Sequence, residues 1–310
     1  MRPKPFHTRW LRYLIGMIVF AVAASALFPA PQPTVSPVSP ADATDALAAA
    51  ARSSGVQEVP PAQDGVYELN IGTEFYTSTV TSMVMGQWFT APLTYTIVDG
   101  LPIFEGDIVL NLNSTTSMGS AINRTSLLWP GGLVAYEIAP NFPAQYRIHD
   151  AIAHWEEKTR IRFVERTAAN ASQHPNYIRF ITASGCWSYV GMQGGMQPIG
   201  LALGCGTGST IHEIGHALGL WHEQSRIDRD DYVTIHFDNI VKGMEHNFAK
   251  HVVDGQDLGQ YDYNSIMHYP RWAFSRNGKD TIVPKIDVEI GQRTELSAGD
   301  IAAIEFLYGK

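Results

Sequence analysis

Residues 212–222 read His212-Glu213-Ile214-Gly215-His216-Ala217-Leu218-Gly219-Leu220-Trp221-His222, and this run constrains the fold more than any other part of the chain. On a helix, His212 and His216 lie about one turn apart on one face. Two imidazoles can then share one metal ion, with Glu213 held beside them. A helix that must turn sharply commonly ends at a glycine able to take positive φ, so Gly219 predicts a turn that brings His222 back as a third ligand. Three nitrogens leave one coordination position open, as a catalytic zinc requires. A lone histidine is usually an ordinary surface or core residue. The joint pattern with Gly219 and His222, however, arises by chance in a chain of this length only about once in a hundred thousand.

Composition sets the surroundings of this motif. The chain has 310 residues, 45% of them hydrophobic, which is enough for one large core or two modest ones and excludes disorder, collagen and repeat arrays as global descriptions. With 22 basic against 30 acidic residues and no run of Lys or Arg in the globular part, nucleic acid is not an expected partner. Arg2, Lys4, Arg9 and Arg12 precede an uncharged stretch of 15 residues, 14–28, which is short for a bilayer span of about 20. Ala24 and Ala26 offer a signal-peptidase site, so residues 1–28 read as a signal peptide and the protein as secreted or periplasmic. The alternative is an uncleaved anchor, the one expected route to a membrane.

The remainder divides by pattern. Residues 29–55 form a Pro/Ala-rich linker without a periodic apolar face. Residues 56–119 read as a β-rich segment, with strands expected at 67–71 and 93–98 and turns at Asp64-Gly65 and Asp99-Gly100. The stretch 29–119 holds one basic residue, Arg52, against nine acidic ones. Residues 120–310 have the length of one ordinary domain. Strands are expected there at 133–138, 161–164 and 177–181, with a helix presenting Ile148, Ile152 and Trp155 on one face.

The run from His212 to His222 matches the metzincin signature, and its continuation Glu223-Gln224-Ser225-Arg226-Ile227-Asp228-Arg229-Asp230 resembles the astacin branch. Gly185-Cys186-Trp187-Ser188-Tyr189-Val190-Gly191, Ser265-Ile266-Met267-His268-Tyr269 and Gly291-Gln292-Arg293 agree with it. The resemblance covers roughly residues 128–308. It implies an α+β zincin domain over 120–310, with a twisted mixed sheet and two long helices above an irregular lower half, preceded by a small β-rich prosegment. It further implies a zinc endopeptidase acting on protein or peptide substrates, one zinc ion per domain, and an activating protease. A zinc amidase acting on non-protein amides and an inactive binding protein on the same scaffold are the rival readings. Oligomeric state is not legible.

By the same resemblance His212, His216 and His222 are the zinc ligands and Glu213 the general base. Met267 is an apolar floor beneath the metal, and Tyr269 a resting-state ligand that swings aside to hydrogen-bond the oxyanion. Phe104-Glu105-Gly106-Asp107 resembles the zymogen motif whose aspartate occupies the zinc, which makes Asp107 the expected latency ligand, although a plain Gly-Asp turn has the same sequence. Activation would then cut between Asp107 and Trp129, near residues 119–121. The new amino terminus is expected near Glu223, which could otherwise anchor Arg226. Residues 177–181, with Tyr177 and Arg179, look like the edge strand along which substrates lie. Arg293 is expected near the pocket after the scissile bond, where it would favour acidic side chains, or else paired with a carboxylate such as Asp300. Cys186 and Cys205, the only cysteines, suggest a disulfide in an exported chain, with metal ligation as the competing reading. Where the family commonly has a second disulfide, this chain carries Arg160, and no cysteine follows Leu307-Tyr308.

Overall fold

The computed structural model describes residues 74–84, 87–111, 125–251 and 255–309. The expected signal peptide, the Pro/Ala-rich linker, the strand at 67–71 and the cleavage region at 119–121 lie outside the described residues. In chain order the strands are β1 (Phe75–Val84), β2 (Gln87–Val98), β3 (Leu101–Phe104), β4 (Ile108–Val109), β5 (Leu133–Ile138), β6 (Arg162–Glu165), β7 (Tyr177–Thr182), β8 (Ser188–Tyr189), β9 (Met196–Leu201), β10 (Val233–Ile235) and β11 (Ile282–Pro284). The helices are α1 (Tyr146–Lys158), α2 (Thr207–Ala217) and α3 (Ala298–Tyr308). None of the described helices is long and apolar enough to cross a membrane.

The upper half is a four-stranded sheet in the order β6-β5-β7-β9, parallel throughout. An antiparallel direction enters only at its margin, through the bridge between Trp187 and Gly200. A parallel sheet needs helices to bury it, and α1 supplies one apolar face: Ile148, Ile152 and Trp155 are buried at the expected spacing. The Trp155 indole donates to the Ile211 carbonyl at 3.1 Å, which fixes α1 against α2. The C-terminal carbonyls of α2 lack partners within the helix, and the last two are taken up by distant side chains. Trp129 Nε1 donates to Ala217 O at 2.8 Å and the Tyr308 hydroxyl to Leu218 O at 2.9 Å. The lower half is irregular, with β10 and β11 paired antiparallel over a second core that includes Phe248, Tyr269 and Phe274.

The structure corrects the expected substrate edge. β7 is an interior strand, bonded to β5 on one side and β9 on the other, so Tyr177 and Arg179 do not line a free edge. Their side chains are committed elsewhere: the Arg166 guanidinium lies over the Tyr177 ring, and Arg179 Nε is 4.0 Å from Glu137. The expectation came from resemblance, and the residues of a strand do not state which strands flank it. The margin is instead at β8, and β4 pairs with it in parallel register, Ile108 with Ser188 and Val109 with Tyr189. The β-rich run upstream thus forms one five-stranded sheet, β1-β2-β3-β4-β8.

Both cysteines are joined, Cys186 to Cys205. Arg160, which stands where the first cysteine of a second bridge was expected, pairs through Nε with Glu305 of α3 at 3.0 Å.

Candidate metal centre and active site

α2 is buried along nearly its whole length, which puts His212 and His216 inside the molecule one turn apart. Gly219 ends it with φ of +107°, and Leu220 N closes back onto Gly215 O at 3.0 Å. This turn needs a residue without Cβ, and it delivers His222 to the other two histidines. His212 Nε2 and His216 Nε2 are 3.1 Å apart.

A fourth donor comes from upstream. Asp107 Oδ2 lies 3.3 Å from His212 Nε2 and 3.2 Å from His222 Nε2, and Asp107 Oδ1 lies 3.7 Å from His216 Nε2. Donors of a tetrahedral zinc with bonds of about 2.0–2.1 Å sit about 3.3 Å from one another, so the four donors fit one zinc ion. The burial of all four and the absence of a hydrogen-bond partner for Asp107 Oδ1 among the described residues fit the same conclusion. Burial holds the His212 and His216 rings well below their ordinary pKa, in the neutral form that ligates. At His222 burial acts in the same sense but is outweighed by Asp107 and Glu105.

The far nitrogens of the three rings are all engaged. His212 Nδ1 meets Ile266 O, His216 Nδ1 meets Leu220 O and His222 Nδ1 meets Glu105 Oε2, each at 2.8 Å. Glu213 follows His212 on α2 with a buried carboxyl, and Oε2 has no hydrogen-bond partner among the described residues. Burial pushes that carboxyl well above the ordinary range, and the charge of Asp107 adds to the effect.

Met267 packs its sulfur against Gly215 of α2, where an added Cβ would meet it at 2.8 Å. The Tyr269 ring lies 4.6 Å from that of His222, with its hydroxyl donated to the backbone carbonyl of Glu105. Arg293 is buried and donates to the carbonyls of Ile266 and His268, at 2.6 and 3.1 Å. The Asp300 carboxylate is engaged by Ser265, Ile266 N and Ser297 N. Glu223 accepts from Asp262 N at 2.7 Å and lies 3.6 Å from Arg226. Burial outweighs that neighbour and pushes its carboxyl up to about 8.

Three residues at the centre were not singled out from sequence: Glu105, Ser225 and His251. The Glu105 carboxylate takes Ser225 Oγ at 2.6 Å and His251 Nε2 at 2.8 Å, in addition to His222. A signal was available for Glu105, which stands two residues before Asp107 in the same motif. Ser225 and His251 carry none, since only the fold brings them to residue 105.

Residues 121–309 match the model of the astacin family of peptidases. The chain is 39% identical over 229 residues to blastula protease 10 of Paracentrotus lividus, covering 66% of this chain and 38% of that protein. It is 44% identical over 203 residues to human tolloid-like protein 1, covering 61% of this chain and 19% of that one. The alignments thus span well under half of these curated relatives. Among solved structures it matches high choriolytic enzyme 1, a hatching-enzyme zinc protease of Oryzias latipes, with a TM-score of 0.55 and 36% identity over 61% of this chain and 98% of that one. Two histidines on a helix that ends at a positive-φ glycine, a third returned to them by that turn, and this set of matches lead to one assignment: the chain belongs to the astacin family.

Proposed function

We propose that this protein is an exported zinc endopeptidase made in a latent form. The observation that carries the reading is the convergence of three imidazoles and one carboxylate on a single buried point, with Glu213 beside them. Zinc held by His212, His216 and His222 supplies Lewis acidity, polarising a peptide carbonyl and bringing the pKa of a water towards neutrality.

The chain's own groups do the rest. Glu213 takes the proton from the attacking water and carries it to the leaving amine, a transfer typically worth about 10²–10⁴ in rate. Water attacks the peptide bond directly, so no acyl-enzyme forms. The Tyr269 phenol donates to the carbonyl oxygen as negative charge develops there, and in the resting active enzyme it would help hold the zinc. Arg293 brings positive charge near the histidines and Glu213 and favours an acidic side chain after the scissile bond; its charge opposes protonation of His212 and of Glu213 alike.

Latency rests on residues 56–119 as a prosegment of the protease domain. Asp107 fills the coordination position that catalysis needs, and β4 occupies the margin of β8, where a substrate would add by main-chain hydrogen bonds. Another protease would cut between Asp107 and Trp129. The freed amino terminus would then settle near Glu223, since a buried ammonium and a buried carboxylate each make the other tolerable.

The test is casein hydrolysis by the zinc-loaded 120–310 fragment, beside its Glu213→Ala variant and the chain lacking only residues 1–28. The fragment is expected to cut, the variant not, and the longer form to be slower. A folded, zinc-loaded fragment that leaves casein and varied peptides intact would overturn the endopeptidase reading.

A further inference from the structure

The three histidines differ in where their outer partners come from. His212 and His216 are held through Nδ1 by the carbonyls of Ile266 and Leu220, both inside the matched domain. His222 is held by a residue 117 positions upstream, through a 2.8 Å contact to Glu105 Oε2. A metal-binding imidazole relies on the partner of its other nitrogen to fix its tautomer and orientation and to raise its basicity.

Glu105 is built in for such a task. Its side chain is fully buried, and its second oxygen accepts from Ser225 Oγ and His251 Nε2. Its backbone has φ of +47°, a left-handed conformation unusual for glutamate, and its carbonyl takes the Tyr269 hydroxyl. The preceding Phe104 is buried with its ring 5.8 Å from that of His251. Charge gives a further reason for a carboxylate here. A divalent cation, Asp107 and Glu105 sum to zero across the ligands and their direct partners, whereas without Glu105 one positive charge would remain in a site closed to water.

We propose that Glu105 is a positioning residue of the metal centre, so that the upstream segment supplies both a fourth donor and the carboxylate that orients the third histidine. The proposal rests on the reading that the histidines hold zinc. It means that departure of the segment removes two supports of the metal at once, and that the latent chain holds zinc more tightly than Asp107 alone would allow.

The test uses the full chain and measures zinc affinity by competition with a chromogenic chelator, together with the visible spectrum of the cobalt-substituted protein. Glu105→Ala is expected to lose about 10–100-fold in zinc affinity and to shift the cobalt bands, with Glu105→Gln between it and wild type. The loss should persist in an Asp107→Ala background, which separates an effect on His222 from a mere release of Asp107. Ser225→Ala and His251→Ala should weaken zinc by less and add nothing on top of Glu105→Ala. A folded Glu105→Ala variant with wild-type affinity and spectrum overturns the proposal. If that variant does not fold, the same result with Glu105→Gln overturns it. A wild-type chain that takes up no zinc removes the metal-centre reading itself, an outcome distinct from either.

Discussion

At the scale of single residues, Glu213 and Tyr269 carry separable parts of the proposed chemistry. Glu213 sits buried on α2 with an oxygen that has no hydrogen-bond partner among the described residues, as suits a group that must pick up and release a proton. Replacing it with glutamine keeps the shape and removes the base, so kcat of the 120–310 fragment should fall by about 10²–10⁴ while zinc content stays at one per chain. Parallel kinetics and metal analysis would check this. Tyr269 presents one donor on a ring packed against His222. Tyr269→Phe removes only that hydroxyl and should lower kcat by about 10²–10³ with little change in KM, if the donor acts on charge present only in the transition state. A KM effect equal to the kcat effect would instead place the hydroxyl in ground-state binding.

At the scale of elements, the segment 265–269 under the zinc helix carries its own pH dependence. His268 is fully buried, its Nε2 within 2.7 Å of the Tyr261 hydroxyl, and burial pulls its pKa down from 6.5 to about 4. The folded state therefore keeps this ring neutral where the unfolded chain takes up a proton. Its contribution to stability is complete above pH 6.5 and is lost as pH falls towards 4. Melting temperatures measured across that window should fall less steeply for His268→Gln than for wild type.

The elements also show what the sequence could convey. The 212–222 run specified the zinc helix, its end at Gly219 and the return of His222, because helix period and glycine φ are local properties. The interior position of β7 was not legible, because a strand's neighbours are decided by the rest of the sheet. Nor was the Ser225–Glu105–His251 cluster, in which Ser225 and His251 stand 120 and 146 residues from Glu105 and are brought to it only by tertiary packing.

At the scale of the whole molecule, the cross-links are few and unequally placed. The Arg160–Glu305 pair is largely exposed, and such pairs contribute about 0–1 kcal/mol, so α3 is held mainly by its buried Ile304 and Tyr308. The Cys186–Cys205 bond closes a separation of 19 residues and should be worth about 3 kcal/mol through loop entropy. Urea unfolding of a Cys186→Ser/Cys205→Ser chain would measure it. Both cysteines of the protein lie in this one bond, on the stretch that carries β8 and its neighbour β9. Thiol chemistry therefore reports on a single place. Both half-cystines are buried, so a small reductant must wait for that wall to open. The rate at which dithiothreitol releases thiols is then a clock for breathing of the cleft, one that occupants of the β8 margin should slow.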